Sequence, residues 1–269
     1  MKRITNTGEA QRGVQDQGMA TASFLRNRYW ILRHGKSIPN EKGLIVSSIV
    51  CDYGPFSSLS THLFYSLLVV WIENGILPEY QLDPEGVEQA RLAGIQFLKE
   101  LKENSILLEN VRICYSPFSR TIHTAKVAAS VLNLPFEDPQ CKMIENLRER
   151  YFGPSFELSS HEKYEDIWAL DEEDPFKRPE GGESVEDVAS RLAQAILEIE
   201  SLFQGCAILV VSHGDPLQIF QAMMGSAAKQ DGSTSSNDLS SIFQALITKP
   251  VLSNHRQFAL LTGELRPLP

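Results

Sequence analysis

Cys206-Ala-Ile-Leu-Val-Val211-Ser-His-Gly-Asp215 is the most strand-like run in the chain, apolar from Cys206 to Val211 and so without a polar face. A strand that is apolar on both faces belongs inside a parallel sheet covered by helices on either side. The run stops at Ser212-His213-Gly214-Asp215, and a helix is expected from about Pro216 to Met224. Two further runs share this form. Arg28-Tyr-Trp-Ile-Leu-Arg33 ends at His34-Gly35, and Val111-Arg-Ile-Cys-Tyr115 leads through Ser116-Pro-Phe-Ser-Arg120 into a helix from about Thr121 to Leu132. Asp83-Pro-Glu-Gly opens a helix of its own, with Asp83 as N-cap and Pro84 at the first position. Ser184, with Asp187 three residues on, caps another that runs to about Phe203. Strands alternating with helices predict an α/β fold: three layers, α/β/α, with a mostly parallel central sheet. Residues 38–82 show no clear period and 142–180 read as loop. The acidic run at 162–174 is expected to be a solvated face, and residues 225–240 a polar loop.

Composition narrows the class. The 269 residues are 42% hydrophobic and 22% charged, which suits one sizeable globular domain and excludes collagen-like, coiled-coil and wholly disordered chains. A formal net charge of -9 makes the overall field repel nucleic acid and anionic membranes. No basic stripe interleaved with aromatics suggests nucleic acid either. An anionic ligand must therefore be held by a local cluster of positive groups. Cys51, Cys114, Cys141 and Cys206 are scattered, with no C-x-x-C pair, and read as reduced thiols of an intracellular, cytoplasmic protein.

Residues 1–28 read as a disordered tail and 29–269 as the domain. The tail has no apolar core of the kind a secretory signal needs, and Met19 opens a second start. Its Arg and Thr residues leave organelle import open, with Glu9 and Asp16 counting against it. Between Asp52 and Glu73 there is no charged residue, but Gly54, Pro55, Ser57, Ser58, Ser60, Thr61 and His62 interrupt the run. What remains is well short of the roughly 20 apolar residues that a membrane crossing needs.

Reactive side chains stand at three strand ends: Arg33-His34, Arg120 just past Tyr115, and His213. Ligands of open parallel sheets bind outside the carboxyl ends of the strands, where helix N-termini also point. Two arginines there would supply the required cations, since the guanidinium fork matches phosphate oxygens. A histidine nitrogen beside them is a nucleophile able to carry a phosphoryl group.

Five motifs occur in order: Arg33-His34-Gly35 after a strand, Ser116-Pro-Phe-Ser-Arg120-Thr-Ile-His-Thr-Ala125, Leu147-Arg-Glu149-Arg-Tyr-Phe-Gly153, Gly182-Glu183-Ser184 and Val211-Ser-His213-Gly214. From about Tyr29 to Leu217 the chain resembles the histidine phosphatase superfamily, in its phosphoglycerate mutase-like branch. The resemblance implies that His34 is a nucleophile forming a phosphohistidine. It implies that Arg33, Arg120 and His213 bind the phosphoryl group and offset its charge, and that Glu149 is the acid, then the base. Asn40 matches an asparagine that contacts the transferred phosphate, and Ser37 is expected to help in the same loop. A small phosphorylated metabolite is the implied partner, no metal or other cofactor is implied, and a homo-oligomer is left open. Glu145 and Glu157 compete with Glu149 for the acid role, while His62, His123, His161 and His255 match nothing catalytic and read as bystanders.

The chain departs from the family in two places. Lys36 stands where many members carry Glu or Gln, either as an extra cation for the substrate or pointing into solvent. Residues 49–72 intervene where relatives are generally short, and they are aromatic, Ser-rich and almost uncharged. They read as translated non-coding sequence or, alternatively, as a hydrophobic lid or partner-binding loop. Residues 154–180 lack the long Arg- and Pro-rich insertion typical of true mutases. The expected activity is thus a metal-independent phosphoric monoester hydrolase, with a mutase-type phosphotransferase (an isomerase) or a catalytically silent binding module as alternatives.

Overall fold

The computed structural model describes residues 24–49, 74–227 and 238–268. Five strands form one sheet in the order β3-β2-β4-β1-β5. They are β1 (Arg28–Arg33), β2 (Val111–Tyr115), β3 (Cys141–Met143), β4 (Ala207–Ser212) and β5 (Leu265–Pro267). All pair in parallel except β5, which runs antiparallel to β1 at one edge. The two edge strands are three residues long, too short to show a period in the sequence.

The expected strand β4 is buried at all six positions because helices cover both sides of the sheet. Ile208 and Val210 join Tyr29 and Ile31 of β1 in a core closed by α5 (Val185–Leu202), α6 (Gly214–Ala227) and α7 (Leu239–Leu246). Leu209 and Val211 join Trp30 and Leu32 on the other face, under α2 (Pro84–Glu103) and α3 (Ser119–Val131). Side chains alternating along each central strand thus feed two cores, and the architecture is three-layer α/β/α. The caps are those expected. Asp83 accepts from Gly86 N at 2.7 Å, and Ser184 and Asp187 form a reciprocal capping box.

Several expectations change. Residues 164–173 form a helix, α4 (Tyr164–Glu173), and not a solvated loop. Its Ile167 and Asp171 are buried: Asp171 accepts both guanidinium nitrogens of the fully buried Arg150, at 2.7 and 2.8 Å. Packing begins before Arg28, since Phe24 and Leu25 lie against the core. Asn27 is buried there too and donates to Glu200 at 2.8 Å. Residues 225–227 continue α6 and Leu239 and Ser240 open α7, so both ends of the expected polar loop are helical, and residues 228–237 lie outside the described residues. Short helices α1 (Ile38–Lys42) and α8 (Lys249–Leu252) complete the described helices. Cys114, Cys141 and Cys206 are free thiols, while Cys51 and His62 lie outside the described residues. No helix among the described residues is long and apolar enough to cross a membrane.

The segment expected to be an insertion falls mostly outside the described residues, but its flanks meet. Gly75 N donates to Ser48 O at 2.8 Å, and Asn74 N to Ser48 Oγ at 3.3 Å. Glu157, a rival for the acid role, fastens the junction by accepting from Ser47 N, Ser48 Oγ and Asn74 Nδ2 at 2.8 to 3.0 Å.

Candidate active site

Sheet register assembles the site. Arg33 pairs with Ser212 across β1 and β4, and Tyr115 pairs with Val211 across β2 and β4. The next residues, His34, His213 and Ser116, therefore leave the sheet side by side. Two backbone bonds carry the ladder into the loops: His34 N to Ser212 O at 3.0 Å and Ser116 N to Val211 O at 3.1 Å. The His34 and His213 rings end 5.2 Å apart, edge to face. Gly35 is required where the chain turns, since a Cβ there would overlap the Gly86 carbonyl oxygen of α2. Its N–H donates to Thr124 Oγ1 of α3 at 3.2 Å.

His34 is buried, with Nδ1 2.8 Å from the Gly35 carbonyl. A carbonyl can only accept, so the proton sits on Nδ1 and Nε2 carries the lone pair. Arg120 Nε donates to that Nε2 at 3.1 Å. Burial, then Arg120 and Arg33, hold His34 well below the usual imidazole range, so the ring is neutral near pH 7. His213 is likewise kept neutral, first by burial and then by Arg120. Its Nε2 lies 2.7 Å from Ser116 Oγ, and the Phe118 ring packs edge-on against it.

Both arginines make their short bonds to carbonyls, and the nearest carboxylate, Glu149, stands 3.5 Å from Arg120 Nη2, so their charge is only partly compensated. Arg33 Nη1 donates to Leu260 O at 2.6 Å and Arg120 Nη2 to Val46 O at 3.0 Å. Burial lowers the pKa of each, with Glu149 opposing, yet a guanidinium stays protonated at neutral pH. Arg33 Nε, Arg120 Nη1 and His213 Nδ1 are buried here without a hydrogen-bond partner in the chain. Unmet buried donors cost roughly 1–3 kcal/mol each, so an oxyanion that accepts from them gains what the free site lacks.

Glu149 sits 3.5 Å from Arg120 Nη2 and 3.6 Å from His213 Nδ1, too far for strong bonds. Burial pushes its carboxyl up to about 7 against the pull of Arg120. A carboxyl titrating there exchanges a proton easily at neutral pH. Glu145 is exposed and stands on a short 3-10 helix.

Ser37 and Asn40 line the cavity, but they also bond each other. Asn40 Oδ1 accepts from Ser37 N and Oγ at 3.1 and 2.8 Å, capping α1. Lys36 is no site cation, because it pairs with Glu85 at 2.8 Å and Asp83 at 3.5 Å at the start of α2. His161 and His255, expected to be bystanders, stand at or beside the cavity. His161 lines the cavity, and His255, buried, faces Asp215 Oδ1 at 3.3 Å. The cavity encloses about 250 Å³, and its far wall holds residues the sequence reading missed: Tyr164, Trp168, Asp215, Gln218 and Arg256. Tyr164, Ile167, Trp168 and Asp171 recur at helical spacing inside the acidic run, a signal that could have found α4.

No curated protein sequence matches this chain. Among solved structures, a mycobacterial glucosyl-3-phosphoglycerate phosphatase is similar with a TM-score of 0.51 at 19% identity, covering 81% of this chain and 84% of the other. The α-ribazole phosphatase from Shigella flexneri is similar with a TM-score of 0.50 at 22% identity, covering 89% of each chain. A protein described as mycobacterial hydrolase 1 reaches 0.51 at 20% identity, covering 74% of this chain and 78% of its own. These identities speak to the fold. The sequence itself matches the histidine phosphatase superfamily (branch 1) over residues 74–242, a span that leaves out Arg33 and His34. Sheet register returns those two residues to the side of His213, and with most of its length inside the match the chain belongs to the histidine phosphatase superfamily.

Proposed function

We propose that this protein is a phosphatase that hydrolyses a small phosphomonoester through a phosphohistidine on His34. The observation that carries this reading is the state of the His34 ring: neutral, its proton fixed on Nδ1 by Gly35, its Nε2 lone pair beside Arg120. In the first step Nε2 bonds to phosphorus and the bond to the leaving oxygen breaks, while protonated Glu149 gives that oxygen its proton. In the second step Glu149, now a carboxylate, takes a proton from water as the water oxygen bonds to phosphorus. The P–N bond breaks and His34 is restored. Arg33, Arg120 and His213 stabilise charge on the transferred oxygens, the electrostatic work that dominates phosphoryl transfer. The fold also carries the phosphatases named above.

Hydrolysis is favoured over transfer back to a bound acid by the segment after Gly153, which is short and acidic. There α4 presents Tyr164 and Trp168 in place of an arginine-rich insertion. The test is phosphate release from p-nitrophenyl phosphate in EDTA. A His34→Ala variant should lose at least about a thousandfold in rate, as expected when a covalent nucleophile is removed. Equal rates in the two proteins would refute the mechanism.

A further inference from the structure

We infer that Arg256 forms a second anion-binding subsite in the cavity, so that the substrate is a phosphomonoester whose leaving group carries another anionic group. The inference rests on the proposed phosphatase reading for the site beside it. Arg256 lines the cavity together with Trp168. Its guanidinium carbon lies 3.5 Å from the Trp168 ring centroid, and Tyr164 stacks near-parallel to Trp168 at 5.9 Å, with 3° between planes. Stacking engages the face of a guanidinium and leaves its in-plane N–H groups free. The Arg256 guanidinium makes no hydrogen bond or ion pair to another described residue, although the Asp215, Asp171 and Glu172 carboxylates act on it at longer range. It is a flat, positioned fork with its donors unassigned, which suits bidentate binding of a carboxylate or phosphoryl group.

The surroundings hold this fork in place. Arg256 follows His255, which is buried, with Nδ1 donating to Leu252 O at 2.7 Å and Nε2 facing Asp215. Asp215 also lines the cavity, but its charge is offset by His255 and by Arg150, each at 3.3 Å.

The experiment measures binding by calorimetry, which does not depend on turnover. Methylphosphonate is compared with phosphonoacetate, 3-phosphonopropionate and propane-1,3-bisphosphonate. At least one carboxylate or bisphosphonate ligand should bind about tenfold more tightly than methylphosphonate, as one charge-assisted contact predicts. The carboxylate and bisphosphonate arms distinguish the two sources of the second charge. In Arg256→Gln that affinity ratio should fall towards one, while Arg256→Lys keeps only part of it; thermal melting checks that both variants are folded. A ratio near one in the unaltered protein, or a ratio kept in Arg256→Gln, overturns the inference. Tight, Arg256-dependent binding without release of phosphate from p-nitrophenyl phosphate or from phosphomonoesters that carry a second carboxylate or phosphate would sink the hydrolase reading and leave the subsite standing. No binding of any phosphonate would sink both.

Discussion

Joining Ser48 directly to Glu73, by deleting residues 49–72, is expected to leave the fold intact and raise its stability. After the deletion the 2.8 Å bond from Gly75 N to Ser48 O would span four consecutive residues, Ser48-Glu73-Asn74-Gly75. That is the i to i+3 bond of a β-turn, with Asn and Gly at positions turns favour. The present geometry is already that of a short connection, and Glu157 ties both sides of it. In the full chain the bonded Ser48 and Asn74 are 26 positions apart. For a flexible connection the closure cost grows as (3/2)RT ln n, so shrinking the ring from about 27 residues to about 3 recovers on the order of 2 kcal/mol.

Urea denaturation of both chains reads this directly. With a slope of about 2 kcal/mol/M the midpoint should rise by about 1 M. Phosphate release should persist, because every cavity-lining residue among the described residues is kept. The nearest structural link is Val46 O, which holds Arg120, so an unchanged kcat also shows that the new turn leaves this carbonyl in place. A lower midpoint, or loss of cooperative unfolding, would mean that residues 49–72 supply contacts the fold needs. That outcome would refute their reading as an insertion without a place in the core. A deletion that folds but shows an altered KM would favour the alternative of a loop recruited to the site.

Glu149, titrating near pH 7, should give a phosphorylation rate that falls as pH rises through about 7, and Glu149→Gln should flatten that limb. Its folded pKa is raised above the ordinary 4.5, so its contribution to stability is full below pH 4.5 and lost as pH climbs through about 7. Glu149→Gln should therefore be more stable at pH 8 by up to about 3 kcal/mol in urea melts, and an equal or lower midpoint would contradict the shift. Asp171→Ala leaves the buried Arg150 with Asp215 at 3.3 Å as its one carboxylate partner and should cost about 3–5 kcal/mol, a loss that an unchanged melting temperature would disprove. Ser116→Ala frees the His213 ring and should lower kcat about tenfold with little change in KM; a pure KM effect would place Ser116 in substrate binding instead.

The sheet was legible because its central strands are apolar on both faces and each ends in a polar motif. The helices were legible where a cap announces them, as at Asp83 and Ser184. Catalytic candidates followed from strand ends, and register then explained why residues as distant in sequence as His34 and His213 meet. The far wall was hidden for a physical reason. Tyr164, Trp168 and Arg256 come from segments with no strand to anchor them, and α4 is acidic enough to pass for solvated surface. Its buried face depends on Arg150, so Asp171 reads as a surface acid until its partner is known. Lys36 shows the converse: a cation beside the nucleophile motif whose role was settled by Glu85, 49 positions away.

A chain of net charge -9 can hold an anion because of how its internal charges are paired. Arg33 and Arg120 make their short bonds to carbonyl oxygens and only Arg120 meets a carboxylate, Glu149 at 3.5 Å, so most of their positive field at His34 survives. The acids nearest the cavity behave differently. Asp215 faces Arg150 and His255, and although burial alone would raise its pKa, these partners outweigh burial and hold it below the usual carboxylate range. Glu149 is instead pushed towards neutrality, so it withdraws part of its charge when the site must accept an anion. The surface acids act through solvent, where screening falls off over about 8–10 Å, and a buried cluster is screened far less. Local pairing therefore sets the potential at the nucleophile. The same argument makes Arg256, stacked on an aromatic ring and not bound to an acid, the natural second cation of this cavity.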